Sequence, residues 1–280
     1  SPKRCIRNKI DRSLMKTRII AIVNQKGGVG KTTTAVNLAT ALSAIGKKTL
    51  IIDLDPQGNA STGLGVPPHL RNATSYQVLI GEKTIAEAEQ TTEIPDLWVV
   101  PSTIDLSAAE LELVTLENRE SRLKTSLSTI SADDQKKYDY ILIDCPPSLG
   151  LITMNALMAA QSIFIPLQCE FYALEGLSHL LKTIKLIQRK MNSELDILGV
   201  VLTMYDKRNK LTEQIEHDVR SFLGDLVFKT VIPRNVRISE APSHGKPALL
   251  YDFHCRGSQA YLQLAKEVVK REKAREPVAA

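Results

Sequence analysis

Membrane-length apolar runs, paired cysteines, zinc-type Cys/His clusters, fixed-period repeats and low-complexity tracts are all missing from this 280-residue sequence. Without an apolar run of roughly 20 residues there is no candidate spanning helix. Cys5, Cys145, Cys169 and Cys255 are scattered and form no Cys-x-x-Cys. They read as reduced, mostly structural thiols of a cytosolic protein, not as a disulfide framework or a metal site. The first 14 residues lack the apolar core of a secretory signal. They carry Lys3, Arg4, Arg7, Lys9 and Arg12 against Asp11, which accounts for four of the five net positive charges. A basic body is therefore missing too, and the positive balance does not by itself indicate nucleic acid. Met15-Lys16-Thr17-Arg18 has the form of an ordinary start. Residues 1–14 read as an upstream extension, a tag remnant or a disordered arm, and 15–280 as a single domain.

What is present suits a globular chain with a sizeable core: 43% of residues are hydrophobic and 24% charged. The strongest local signal is Asn24-Gln25-Lys26-Gly27-Gly28-Val29-Gly30-Lys31-Thr32-Thr33. It lies between a β-branched run, Ile19 to Val23, and an alanine-rich segment with helical spacing, Ala35 to Ile45. Strand, glycine loop and helix form the context of a phosphate-binding loop. Glycines let backbone amides face phosphate oxygens, and the helix start adds its positive dipole end. Lys31 supplies a charge for the β/γ-phosphates and Thr32 a hydroxyl for Mg²⁺. The ordinary pattern needs glycine at position 25, where this chain has Gln25, and a second lysine, Lys26, opens the loop.

Two apolar runs end in acids. Thr49 to Asp55 reads as a buried strand closed by Asp53 and Asp55 and broken by Pro56-Gln57-Gly58-Asn59. Ligands of parallel sheets sit at strand carboxyl ends, which points both acids toward the nucleotide, although either could merely cap the next turn. Tyr138 to Asp144, followed by Cys145-Pro146-Pro147, has the form of a Walker B strand whose Asp144 holds a Mg²⁺-bound water or senses the γ-phosphate.

Further strands are expected at Leu97–Val100, Ser162–Leu167, Ile197–Met204 and Val227–Ile232. Helices are expected at Ile104–Leu127, Ile152–Ala160, Ala173–Met191, Thr212–Phe222 and Gln259–Lys273, with a helical turn at Ser75–Ile80 in an otherwise loop-like stretch. The alternation predicts an α/β fold with a mostly parallel twisted sheet covered by helices on both faces. Leu177, Leu180, Leu181, Ile184, Ile187 and Met191 share one helix face, with Lys182, Lys185 and Arg189 beside it. That basic stripe is either a solvated flank or a phosphate-facing patch. Two more basic groups follow strand ends, Lys207-Arg208-Asn209-Lys210 and Pro233-Arg234-Asn235-Val236-Arg237. Adenine, a dimer partner and DNA are all open as their contacts.

The loop, with Asp53-Leu54-Asp55-Pro56-Gln57-Gly58-Asn59, Ile143-Asp144-Cys145-Pro146-Pro147-Ser148 and Ile232 to Ser243, resembles the ParA/Soj family of chromosome-partitioning ATPases over about Met15 to Val269. The resemblance implies a deviant Walker A P-loop ATPase that binds ATP and Mg²⁺ and closes into a nucleotide-sandwich homodimer. It implies that Lys26, Gly27, Gly28, Val29, Gly30, Lys31, Thr32 and Thr33 hold the nucleotide, with Lys26 reaching the partner's phosphates. Thr32 is then the Mg²⁺ ligand, Asp55 positions the attacking water, Asp144 is the Walker B acid, and Pro233 and Asn235 lie at the adenine. Arg208 and Arg237, with Lys207 and Lys210 beside them, are placed for sequence-independent DNA binding. A ParB-type partner that stimulates hydrolysis and a cytoplasmic, nucleoid-associated bacterial setting are implied as well. Two other classes share the loop. A MinD-like membrane-cycling ATPase needs a C-terminal lipid-binding helix, whereas Tyr261, Leu264, Ala265 and Val268 make only a modest stripe; no membrane partner is expected. An amidating or kinase-type enzyme needs a small-molecule pocket, and no cysteine here has a paired histidine.

Overall fold

The structure, a computed structural model, describes residues 17–130 and 138–275. The segment 1–14 and the start at Met15 lie outside the described residues. Among the described residues, seven strands form one sheet in the order β3-β4-β2-β5-β1-β6-β7. They are β1 (Arg18–Ile22), β2 (Thr49–Asp53), β3 (Gln90–Thr91), β4 (Leu97–Val100), β5 (Tyr140–Asp144), β6 (Ser162–Gln168) and β7 (Asp196–Thr203). All neighbours are parallel except the short edge strand β3, which runs antiparallel to β4.

The expected α/β fold is what forms, and the reason is visible in β2 and β5. Every residue of both strands is buried, so their apolar runs are continuous, as strands covered on both faces require. Side chains alternate between two cores. Ile20, Ile22 and Ile51 pack with the first helix, α1 (Lys31–Ala44), and the last, α12 (Arg256–Arg275). Ala21, Leu50 and Ile52 face the opposite layer, which holds α3 (Ser75–Ile80), α5 (Leu106–Thr115), α6 (Arg122–Ser128), α7 (Leu151–Ala159), α8 (Ala173–Lys190) and α9 (Lys210–Leu223). Three further short helices, α2 (Asn59–Gly63), α4 (Ile85–Ala88) and α10 (Val236–Glu240), fill connections, and α11 (Ala248–Tyr251) precedes α12.

Two expected elements differ. Ile104–Leu127 is not one helix: α5 stops at Leu116, whose backbone is extended, and Asn118 takes a positive φ of 52° before α6 begins. Asparagine tolerates that left-handed geometry. Val227–Ile232 is not a continuous strand: it meets β7 at a bridge between Val227 and Val200 and again where Ile232 N donates to Leu202 O at 2.8 Å, with no ladder between. Side chains take the backbone groups a ladder would use. Glu267 accepts from Lys229 N and Thr230 N at 2.8 and 3.1 Å, and Arg220 donates to Phe228 O. Met191 also leaves the expected apolar face of α8; it is the helix cap and exposed, while Leu177, Leu180, Ile184 and Ile187 are buried.

Candidate functional site

β1 sits between β5 and β6, so the loop after it opens at the carboxyl ends of three strands. Asn24 anchors that loop: its amide donates to Pro166 O of β6 at 2.8 Å, and its Oδ1 accepts from Lys26 N at 3.0 Å. Gly30 caps α1 with φ 87°, a left-handed geometry that glycine adopts without a Cβ penalty. Thr203, at the end of β7, donates to Val29 O at 2.8 Å and fixes the loop from the other side. Val29 itself is buried, so its side chain is packing and only its backbone belongs to the loop surface. No atom comes within 4 Å of a Cβ built on Gly27 or Gly28, so the loop is open there.

Lys31 is buried and donates to Lys26 O at 3.0 Å. Burial pulls its pKa below the ordinary lysine range, against the opposing pull of Asp144, Cys145 and Asp55. Asp144 ends β5, in register with Ile22 of β1 and Asp53 of β2. It is fully buried, and neither carboxylate oxygen has a hydrogen-bond partner of ordinary geometry among the described residues. Burial raises its pKa well above the carboxylate range, and Asp53 adds to this; the Thr32 hydroxyl and the Lys31 ammonium pull the other way. A buried carboxylate with both oxygens unused beside a threonine hydroxyl has the donor chemistry that a hydrated Mg²⁺ requires.

The two acids at the carboxyl end of β2 take different places. Asp53 is the turn cap: it accepts from Asp55 N at 3.1 Å, Ser61 N at 2.9 Å and Ser61 Oγ at 2.6 Å. Burial pushes its pKa up to about 6 despite those bonds. Asp55 lies beyond the strand and lines a cavity of about 400 Å³ together with Gly27, Gly28, Gly30, Lys31 and Thr32. Thr33, Pro233 and Asn235 complete the same cavity, and buried Tyr261 of α12 contributes to it. Its size suits a small ligand. Asn235 Oδ1 caps α10 by accepting from Arg237 N at 2.9 Å, which leaves its amide hydrogens for a ligand. Lys26 is not among the cavity residues. It is half-exposed and forms an ion pair with Glu170 on the β6–α8 connection.

Lys207 and Arg208, with Arg234 and Arg256, line a broader hollow of about 940 Å³ that shares Pro233 and Arg234 with the first cavity. Arg208 is clamped to Asp206 through Nε and Nη2, at 3.0 and 2.8 Å. Those bonds lower the Asp206 pKa to about 2. Arg237 stands on α10, paired with Glu240 at 3.1 Å and Asp252 at 3.5 Å. Lys210 opens α9, and Lys182, Lys185 and Arg189 lie exposed on α8.

Asn24, Thr203, Tyr261 and Glu170 were not legible as site residues. Thr203 and Val29 are 174 positions apart, and no spacing rule links them; Asn24 alone lay inside a recognisable motif. Among the described residues no helix is long and apolar enough to cross a membrane. The stripe Tyr261, Leu264, Ala265 and Val268 is buried against α1. Cys145 is buried, and burial with Asp144 raises its thiol pKa well above the usual range, the opposite of an activated nucleophile.

The family model described as an AAA domain matches residues 17–197. The chromosome partitioning protein ParA of Caulobacter vibrioides is 56% identical over 263 residues, covering 94% of this chain and 98% of its own. The sporulation initiation inhibitor protein Soj of Bacillus subtilis is 53% identical over 251 residues, covering 90% and 98%. Among solved structures, cobyrinic acid a,c-diamide synthase from Mycobacterium smegmatis with bound ADP and magnesium superposes with a TM-score of 0.79 at 34% identity, covering 92% of this chain and 96% of that one. Identity above one half along nearly the whole length, on a phosphate loop built as described, settles the kinship: the chain belongs to the ParA/Soj family of chromosome-partitioning ATPases.

Proposed function

We propose that residues 15–280 form one ATPase domain that moves DNA. Its ATP-bound sandwich dimer holds DNA without sequence preference, and hydrolysis, stimulated by a ParB-type partner, releases it. The observation that carries this reading is Asp144, a buried carboxylate with two unused oxygens, set beside Lys31 and Thr32 at the mouth of a phosphate loop.

Bound Mg²⁺·ATP supplies the γ-phosphoryl group and the charge that offsets it. The chain's own residues do the rest. Gly27 to Thr33 wrap the phosphates, Lys31 neutralises their charge, and Thr32 and Asp144 hold the metal side. Asp55 orients water and accepts its proton. Lys26 leaves Glu170 and reaches the neighbouring subunit's phosphates, so that triphosphate becomes part of the interface and charge is neutralised across it. Pro233 and the free amide hydrogens of Asn235 receive the base.

Arg208, Arg237, Lys207 and Lys210 contact DNA phosphates. One subunit offers few such contacts, and closure doubles them; affinity changes steeply with the number of phosphates neutralised, so assembly switches DNA binding on. The site of action is then the bacterial cytoplasm, on the nucleoid. DNA binding compared across ATP, ADP and no nucleotide, with a salt titration, tests the scheme. Retention only with ATP, falling steeply with salt, is expected; equal binding in all three states contradicts it. An amidating enzyme on the same fold is the second reading, favoured by the structural likeness to the diamide synthase. Turnover stimulated by a small acid and indifferent to DNA would select it.

A further inference from the structure

Beneath the Asp55 turn lies a buried arginine that no motif marks. Arg71 is 8% exposed. Its Nε and Nη2 donate to Val66 O at 3.0 and 2.7 Å, Nη1 to Ser102 O at 2.9 Å, and Nη2 also to Thr62 Oγ1 at 2.8 Å. Burial lowers its pKa, and the charge of Asp53 opposes that. All four bonds go to neutral oxygens. A buried cation held this way is no gain over an apolar side chain of similar volume, so stability alone does not account for it.

What the guanidinium holds is the turn that carries Asp55. Gly58 N donates to Asp55 O at 2.9 Å and closes that turn. Gly58 takes φ 62° and rests on the arginine: a Cβ there would collide with Arg71 Nη1 and stand 2.8 Å from Ser102 O. The Thr62 hydroxyl accepts from Arg71 and donates to Gly58 O at 3.1 Å, which ties guanidinium and turn together. From the other side Asp53 accepts from Asp55 N and from Ser61, and Ser61 Oγ accepts from Ser102 N at 3.0 Å. Asp53, Ser61, Ser102, Arg71, Thr62 and Gly58 thus form a closed circuit around the turn.

We infer that Arg71 is a positioning residue for hydrolysis: acting through Thr62 and Gly58, it keeps the Asp55 carboxylate in one orientation over the cavity. This rests on the reading of Asp55 as the group that orients water. A displacement of about 1 Å at such a group costs on the order of 100-fold in rate, while ATP binding depends on the phosphate loop, to which none of these hydrogen bonds runs.

The test is steady-state ATP hydrolysis by the full chain with DNA, alongside thermal melting. Arg71→Lys keeps the charge but not the planar fork that serves three acceptor groups. It should lower kcat about 10-fold or more and leave KM for ATP within about twofold. Thr62→Val, at an exposed position, removes the link without entering the core. It should lower kcat about threefold, the effect of one hydrogen bond, with the melting temperature unchanged. If both variants keep wild-type kcat, or if KM rises while kcat holds, the positioning role falls. Asp55→Ala, run in parallel, separates the two readings. If it hydrolyses ATP at the wild-type rate, the role of Asp55 fails and takes this inference with it. If it is inactive while both other variants turn over normally, the positioning role alone is overturned.

Discussion

Lys26 and Glu170 form an ion pair across 144 positions of sequence, joining the phosphate loop to the β6–α8 connection. Phe171 and Tyr172 follow it, both largely exposed and packed edge to face. The pair holds within one subunit the lysine that the proposed mechanism needs in the next. Its side chains are 50% and 36% exposed, and an exposed pair contributes up to about 1 kcal/mol. Glu170→Gln should therefore favour the ATP-dependent dimer by no more than about fivefold, read as the ATP concentration for half-maximal dimer in light scattering. Lys26→Ala should stay monomeric at saturating ATP. A dimer that persists without the Lys26 ammonium removes its role across the interface.

Asp55 and Asp53 should separate in the same assay. Asp55→Ala is expected to keep ATP-dependent dimers and DNA binding while turnover falls at least about 100-fold, the usual contribution of a positioned base. Asp53→Ala removes three accepted hydrogen bonds at a fully buried site. It should lower thermal stability as well as turnover. Undiminished hydrolysis by the Asp55 variant is the outcome that excludes its assignment.

The proposed DNA surface should respond to carboxylates as well as to arginines. Arg208 and Arg237 are each held by acids of their own chain, and DNA phosphates must displace those partners. Arg208→Glu and Arg237→Glu are expected to abolish retention while ATP dimers persist. Asp206→Asn should do the reverse and tighten DNA binding at fixed salt, because it frees the Arg208 fork. Loss of one phosphate contact lowers the slope of log affinity against log salt by about 0.9. Retention that survives both charge reversals would move the surface to the exposed Lys182, Lys185 and Arg189.

The central strands and the phosphate loop were legible because their signals are local. The continuous apolar runs that became β2 and β5, the glycines before Lys31, and the acids at the strand ends each sit within a few residues of what they specify. The edges of the fold were not. Val227–Ile232 has the composition of a strand, and what interrupts the ladder at 228–230 is Glu267 and Arg220, from helices elsewhere in the sequence. The break at Asn118 depends on one residue accepting a left-handed backbone. Within the site, spacing placed Asp53 and Asp55 side by side, and only the tertiary contact with Ser61 shows that one caps while the other faces the cavity. Arg208 and Arg237 could be named from their positions, but Asp252, which reaches Arg237 from another loop, could not.

Asp144 gives a prediction with a pH sign. In the nucleotide-free protein its carboxylate is buried, with no hydrogen-bond partner of ordinary geometry among the described residues, and crowded by Asp53 and Asp55; burial above all, against the pull of Thr32 and Lys31, holds its folded-state pKa well above the ordinary 3.8. The native state therefore takes up this proton at higher pH than the unfolded chain does. Stability from this group rises as pH falls through the folded pKa, levels off below about 3.8, and is lowest at neutral pH. Asp144→Asn removes the ionised form and should stabilise the nucleotide-free protein at pH 7, on the order of 1 kcal/mol for relief of a strained buried polar group. That advantage should shrink as pH is lowered toward 4. Mg²⁺·ATP should reverse the order: a ligand at 100 times its Kd stabilises the state that binds it by about 2.7 kcal/mol, and the variant, without its carboxylate, should gain much less. Thermal melting of both proteins from pH 4 to 7, with and without Mg²⁺·ATP, reads all three effects. A melting difference that stays constant with pH, or an equal gain on adding Mg²⁺·ATP, would contradict both the buried charge and its place beside the metal.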